Sequence, residues 1–496
     1  MKHIVSMDSA ALIDSGVQQN YGIPAIILME QAGTALSELF FDKFCSASDS
    51  VVFLCGTGNN GGDAMVMARN AFFKGFSSIK VIITKESLRD IPAIQLDIIR
   101  SLGIDTYVWE NDRSICEEIC SKADWIVEGL LGIGQKSELR QDIKSIVSFI
   151  NNLDDIRIFS IDVPAGIYDD YGLIADVTVN VGVYKQECFF PSYRKRCGDI
   201  HLVEISFPPE LIKRQSSGLL IEDISVFSDE LNISRYSHKG DRGRIGVFAG
   251  SAGMLGAALL SGKSVLRTPS GYVYLFVGND IFEQIYPIAG PLVVKKESDL
   301  QSFDFMDSVL VGPGWGRCEN RVLLLSSILK KFDKGVIDAD AIYSLKLLID
   351  KEDVSLGTGW VLTPHIGECA FLLNTTVDKL LKNPLICQDF VNRHSCTLVL
   401  KSHVTWIFSP GNIAVYDGCF SPLGTAGSGD VLAGLIAGLL TAYTSSFSAA
   451  CAGVIAHANA AKLLYKDKGW FSSDMLVDYI GLSLKEIGIE IYERER

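Results

Sequence analysis

The sequence predicts a two-domain α/β protein with parallel sheets, and three observations carry that prediction. Its 496 residues exceed what one core accommodates, and that length implies two to four domains. Near-continuous apolar runs of strand length alternate with helical patterns in both halves, as parallel strands buried on both faces do. Most of these runs end in glycine-rich or acid-bearing turns, where open α/β sheets gather their ligands.

Composition narrows the function classes. A formal charge of −14 with no Lys/Arg block argues against a nucleic-acid surface, so anionic ligands must be gripped locally. The stretch Met1–Asp8 has no apolar h-region, and no secretory signal is expected. No apolar run reaches membrane-spanning length without polar breaks; the nearest, Val431–Leu440, reads as a core helix. The twelve cysteines include no C-x-x-C pair, and Cys116 and Cys120 lack histidines at ligand spacing. Structural zinc and a disulfide framework are therefore poor readings, whereas free thiols in a reducing cytoplasm fit.

Along the first half, residues 8–44 read as helices broken at Gly22-Ile23-Pro24. Strands are predicted at Val51–Cys55, Ile79–Thr84, Trp125–Val127, Ile156–Ile161 and Val177–Val181. The first ends in Gly56-Thr57-Gly58-Asn59-Asn60-Gly61-Gly62-Asp63, which contains G-x-G-x-x-G. Three readings of that turn stay open: a dinucleotide fingerprint with Glu86 as its ribose acid, a polar-ligand or cation site, and turn chemistry alone. Asn59, Asn60 and Asp63 supply the amides and the carboxylate of the second reading. The third strand ends in Glu128-Gly129 and the fourth in Asp162-Val163-Pro164-Ala165-Gly166. Between Lys213 and Tyr236 the pattern weakens into serine-rich and acidic stretches, so 213–236 reads as a linker between domains 1–212 and 237–496.

In the second half, strands are predicted at Arg244–Ala249, Tyr272–Val277, Ser308–Val311, Gly335–Ile337, Val361–Leu362 and Thr397–Leu400. Gly262-Lys263-Ser264 mimics a phosphate-binding loop, but its spacing is wrong and it falls in a helix. The strand ends carry Gly312–Gly316, then Asp338 and Asp340, then His365, then Lys401. The two-residue period puts Asp338 and Asp340 on one side, which suits a water-mediated magnesium or a ribose; helix capping is the alternative for Asp340. His365 is a ligand contact or a core histidine, and His457 is a packing residue. Lys401, Thr405 and Trp406 bracket a strand and turn that could wall a nucleotide. Finally, Gly424–Gly434 describes a tight turn feeding a buried helix whose first N–H groups can hold a phosphate. Asp430, on the first turn, would be the base beside that anion, unless the stretch is only a helix capped by Ser428.

Two sets of motifs resemble a known family. Gly22-Ile23-Pro24, Leu28-Met29-Glu30-Gln31-Ala32-Gly33, Gly58–Asp63 and Ile161–Gly166 together resemble the N-terminal domain of bifunctional NAD(P)HX epimerase/dehydratases, over residues 1–212. That resemblance implies a Rossmann-like three-layer domain that interconverts the R and S hydrates of NADH and NADPH. Asn59, Asn60, Gly61, Gly62 and Asp63 would line the hydrate site, with Asp162 as acid/base residue. It also implies potassium near Asn60, Glu128 and a serine, but Ala165 replaces that serine and Glu128 replaces the usual aspartate. A lost hydroxyl removes one oxygen from the shell, for which the longer Glu128 could compensate. Further departures are Ala64, Ile133 and Val183-Tyr184-Lys185.

Residues 237–496 resemble the ribokinase-like superfamily and, within it, the NAD(P)HX dehydratase domain. The supporting set is His238-Lys239-Gly240, Ala249-Gly250-Ser251, Gly256-Ala257-Ala258, Gly312-Pro313-Gly314-x-Gly316, Asp338–Ala341, Thr363-Pro364-His365-x-Gly367-Glu368, Lys401-x-x-x-Thr405 and Gly427–Asp430. By that resemblance Ala258, Gly316, His365 and Asp430 contact the hydrate. Lys401, Ser402, His403, Val404, Thr405, Gly427, Ser428 and Gly429 contact an adenine nucleotide, ADP in preference to ATP, with magnesium. The expected protein is a cytoplasmic homo-oligomer that repairs NADHX and NADPHX. Its rival is a kinase of a vitamin-like alcohol with a non-catalytic first domain.

Overall fold

The computed structural model describes residues 1–485 except 137, 232, 235, 303–304 and 352–353. The chain divides into two compact units at Gly218/Leu219.

The first unit contains β1 (Lys2–Val5), β2 (Val51–Cys55), β3 (Ile79–Ile83), β4 (Thr106–Val108), β5 (Trp125–Gly129), β6 (Arg157–Ile161), β7 (Val177–Val181), β8 (Tyr184–Lys185) and β9 (Asp199–Val203). Seven of them form one parallel sheet in the order β4-β3-β2-β5-β6-β7-β9, and β1 pairs with β8. Alternation explains the three layers. Val51, Phe53 and Cys55 face one core with Leu36, Phe40 and Ala64, whereas Val52 and Leu54 face another with Cys116, Ile143 and Val147. The order reverses between β2 and β5, so a crevice opens at the carboxyl ends of those strands. Tight contacts there demand glycine: a Cβ on Gly56 would lie 1.9 Å from the Leu130 carbonyl oxygen.

The second unit contains β10 (Gly218–Leu220), β11 (Arg244–Phe248), β12 (Tyr272–Val277), β13 (Val293–Lys296), β14 (Ser308–Val311), β15 (Gly335–Ile337), β16 (Trp360–Leu362), β17 (Thr397–Leu400), β18 (Val404–Ser409) and β19 (Asn412–Asp417). The sheet order is β13-β12-β11-β14-β15-β16-β17-β18-β19-β10, parallel from β13 to β17 and antiparallel across β17-β18-β19. One face is covered by the helices Leu255–Leu266, Ser428–Leu439, Ser446–Lys468 and Ser473–Ser483 around Val247, Leu275, Leu310 and Val336. The first two helices pack closely because a glycine stands at each crossing: a Cβ on Gly434 would lie 2.3 Å from the Ser261 carbonyl oxygen. Lys263 lies inside the Leu255–Leu266 helix, and the Ser264 hydroxyl donates to the Val431 carbonyl at 2.6 Å, so that stretch is helix packing. The helix Ser446–Lys468 has the length and composition to cross a membrane, yet 78% of its apolar window is buried in this core.

The α/β class and the predicted strands hold in both units. The stretch 213–236 is not a loose tether, apart from residues 232 and 235, which lie outside the described ones. Lys213–Gln215 end a helix, and Leu220, Ile221, Ile224 and Phe227 are buried. Four apolar anchors spaced among acids and serines hold it down.

Candidate functional site

The carboxyl ends of β2, β5 and β6 in the first unit border a cavity of about 640 Å3. Asn59, Asn60, Asp63 and Asp162 line it, joined by Asp14 and Lys185. Asp162 follows β6 with a left-handed φ of 65°, a conformation Asp tolerates better than most residues. Its amide donates to the Val179 carbonyl at 2.8 Å, and its Oδ1 accepts from the Val181 amide at 3.1 Å and pairs with the buried Lys185 ammonium. Lys185 is held in turn by the Val181 carbonyl at 2.6 Å. Burial first, then the Asp162 and Asp14 charges, hold the Asp63 carboxyl well above the usual carboxylate range. Burial likewise raises Asp14. The cavity thus sets the lysine-paired Asp162 beside a carboxyl whose ionisation is disfavoured, an arrangement suited to moving a proton on and off a substrate.

Gly61 and Gly62 do not line this cavity. A Cβ on Gly61 would meet the Gly56 carbonyl at 2.1 Å, and one on Gly62 would meet Met29 at 2.4 Å. They are glycines so that the turn can close and two helices can touch. Glu86 pairs with Arg100 at 2.7 Å on the surface, away from the cavity, so the dinucleotide-fingerprint reading loses its ribose acid. The expected potassium ligands also have other work. Glu128 is fully buried, and burial raises its carboxyl to about 7 although hydrogen bonds from Ser160, Leu130, Ala165 and Leu131 pull it down. The Asn60 side chain donates to the Leu131 and Ile161 carbonyls at 3.0 and 2.9 Å. Asp14 and Lys185 were missed as site residues. Asp14 reads as one polar position on an amphipathic helix, and Lys185 sits in a two-residue strand that leaves no periodicity.

In the second unit, the ends of β14, β15, β16 and β17 meet the start of the Ser428–Leu439 helix. That helix begins at Gly427 in the left-handed conformation (φ 86°), and no side chain caps it. The Ser428 hydroxyl instead donates to the Leu423 carbonyl at 2.9 Å, so a helix capped by Ser428 is not what forms. The Ser428 amide donates to the Thr425 carbonyl at 3.2 Å, no side chain meets the Gly429 and Asp430 amides, and the dipole favours an anion there. The Lys401 ammonium lies over Gly429, where an added Cβ would stand 3.3 Å from Nζ, and it pairs with Asp338 at 2.8 Å. Asp430 is raised to about 6, by burial first and then by Asp338, with Lys401 opposing and Glu368 and Asp340 adding. A buried carboxyl raised to about 6 therefore stands near a lysine ammonium at the start of an uncapped helix.

Other expectations change here. Asp338 is buried against the Thr363 hydroxyl and Lys401, both at 2.8 Å, while Asp340 accepts from the Gly316 amide at 2.9 Å and from Arg317 at 2.8 Å. The strand stops at Ile337 and Ala339 takes a φ of 48°, so strand alternation does not relate the two acids, and each has a protein partner. His365 is exposed and caps the Ile366–Leu372 helix: its Nδ1 accepts from the Gly367 and Glu368 amides at 3.0 and 3.2 Å, leaving Nε2 to carry the proton of the neutral ring. Ala258 is fully buried under Gly250 and offers no side chain to a ligand. In the 401–405 run, Val404 is fully buried, and its amide and carbonyl are both engaged by the Ser402 hydroxyl at 3.2 and 2.6 Å. His457 is buried, with Nε2 lacking a hydrogen-bond partner among the described residues, and burial lowers it to about 4.

Two α/β units, each with its polar residues at the carboxyl ends of parallel strands, define a two-site α/β enzyme. Comparison with known proteins makes it particular. The family model for NAD(P)H-hydrate dehydratase matches residues 245–482, and that for the YjeF-related protein N-terminus matches residues 25–187. The bifunctional NAD(P)H-hydrate repair enzyme of Dictyoglomus turgidum is 30% identical over 98% of this chain and 98% of its own. Its Escherichia coli counterpart is 28% identical over 92% of this chain and 88% of its own. Among solved structures, the Bacillus subtilis ADP/ATP-dependent NAD(P)H-hydrate dehydratase, co-crystallised with ATP and magnesium, is 22% identical with a TM-score of 0.48, covering 55% of this chain and 100% of its own. The chain belongs to the family of bifunctional NAD(P)H-hydrate repair enzymes.

Proposed function

We propose that the two units share the repair of hydrated NADH and NADPH, the first interconverting the R and S hydrates and the second dehydrating the S form at the expense of ADP. The observation that carries the second activity is Asp430 on the first turn of an uncapped helix, near Lys401. In this reading the nucleotide phosphates lie against the amides of Gly427 and Gly429 and the Lys401 ammonium, with Ser428 holding the turn through its amide bond to the Thr425 carbonyl. Asp430 accepts the proton of the hydrate 6-hydroxyl as its oxygen attacks the terminal phosphorus of ADP, and AMP leaves. The carbon–oxygen bond then breaks with loss of phosphate and a ring proton, which restores the double bond. Phosphate leaves more readily than hydroxide, and that is the chemical reason to spend a nucleotide. The nearby carboxylates Asp338, Asp340 and Glu368 all raise Asp430, an excess of negative charge that fits a divalent cation brought in with the phosphates. Magnesium would offset part of that charge.

In the first unit, Asp162 is the residue that moves the proton and Lys185 keeps it placed, with Asn59 and Asn60 positioning the hydrate. The setting proposed for both reactions is the cytoplasm, where the buried thiols stay reduced. The test is an assay of purified full-length protein on hydrated NADH, with ADP and ATP in parallel. Nucleotide-dependent return of reduced-nicotinamide absorbance is expected. Phosphorylation of a free alcohol without that return would replace the reading with a kinase.

A further inference from the structure

The potassium implied for the first unit would have to sit where the loops after β5 and β6 meet Asn60. A hard cation needs oxygen lone pairs directed at it. Here those oxygens already accept hydrogen bonds, apart from Asn60 Oδ1, which has no donor among the described residues. A carboxylate offers about four acceptor positions, and the Glu128 carboxylate takes the Leu130 amide at 2.7 Å, the Ser160 hydroxyl at 2.8 Å, and further bonds from the Leu131 and Ala165 amides. The carbonyls of Leu131 and Ile161 accept from the Asn60 side-chain amide. Ala165, where a hydroxyl would complete the shell, presents a fully buried methyl. Gln135 ties the same two loops a second time, donating to the Pro164 carbonyl at 3.2 Å and accepting from the Gly166 amide at 2.7 Å.

We infer that the first unit works without potassium: the Glu128 carboxylate and the Gln135 carboxamide join the two cleft loops in the ion's stead. The longer side chain at 128 and the lost hydroxyl at 165 are then one change. Glu128 reaches the Ala165 amide across the gap as well as the Leu130 and Leu131 amides of its own loop, and N–H groups gathered at one point repel a cation. The residues present do not fit the ion, and the chemistry of the cleft runs through its own lining side chains, Asp162 and Lys185 first.

The test uses the full-length protein in potassium chloride and in choline chloride at matched ionic strength. Melting temperatures are expected to agree within about 1 °C, because an ion that does not bind the native state adds no stability. A potassium-specific rise that saturates with concentration and is lost in Glu128→Gln would overturn the inference; a rise unchanged in Glu128→Gln places an ion elsewhere and upholds it. Should Glu128→Gln fail to fold, Asn60→Ala takes its place with the same two outcomes. A second arm follows R-to-S conversion, which rests on the proposed repair reading. Equal rates in the two salts support the inference, and a rate that requires potassium contradicts it. If no conversion occurs in either salt, the epimerase reading fails while the thermal arm still decides the question of the ion.

Discussion

At the scale of single residues, function and stability pull in opposite directions at Asp430. Its pKa stands at about 6 against the ordinary 3.8, so ionisation is disfavoured in the folded state. A carboxyl raised in this way costs stability as pH climbs from its unfolded value through its folded one, and the cost is fully present above that window. Asp430→Asn is therefore expected to melt higher than the parent at pH 7, with the difference vanishing near pH 4, as calorimetry at the two pH values will show. In the proposed role of base Asp430 must be ionised, so turnover should fall as pH drops through about 6. In Asp430→Asn turnover should fall by about two orders of magnitude or more while hydrate and nucleotide still bind. At Asp162 the partner matters as much as the acid. Lys185→Met leaves a carboxylate unpaired in a buried site, a loss of about 3–5 kcal/mol, to be read from urea unfolding. Asp162→Asn in the same chain should recover much of it. Asn suits the left-handed φ at 162, so the single Asp162→Asn variant should fold and yet lose R-to-S conversion.

The elements explain why some of this was legible in the sequence and some was not. Buried parallel strands announce themselves as apolar runs, and β2, β3, β5, β6 and β7 stand where those runs do. Several strands that escaped are short or half-exposed: β4 has three residues, β8 two, and β9 (Asp199–Val203) and β13 (Val293–Lys296) carry charges at one end; the six-residue β18 and β19 escaped as well, although largely buried. Glycines were legible as close approaches, but which surface approached was not. Gly61 and Gly62 read as ligand contacts and turned out to serve a turn and a helix pair, because spacing does not say which way a missing Cβ would point. Asp338 and Asp340 were misplaced for a related reason: strand periodicity ended two residues before the helix began. The glycines at four-residue steps after Asp430 are the clearest case of legible packing. Gly434→Ala should cost about 1–3 kcal/mol despite alanine's better helix propensity, because its Cβ meets a carbonyl oxygen. Chemical denaturation monitored in the second unit will measure it, and a neutral effect would mean that the helices separate without cost.

For the whole molecule, family membership and the two sets of strand-end residues describe two chemistries on one chain. Each set lies within one unit: Asp14, Asn60, Asp63, Asp162 and Lys185 in the first, and Lys401, Gly427–Gly429 and Asp430 in the second. Variants should therefore separate the reactions. Asp430→Asn is expected to keep R-to-S conversion at the parent rate, and Asp162→Asn to keep dehydration of purified S-hydrate; chromatography of the two hydrates distinguishes them. The measurement that bears most directly on the central claim is ADP-dependent recovery of NADH from S-hydrate by the full-length protein, with Asp430→Asn in parallel. Recovery coupled to release of AMP and phosphate, and lost in the variant, is the result expected. Recovery at the parent rate in Asp430→Asn, or none with any adenine nucleotide in the parent, would contradict it.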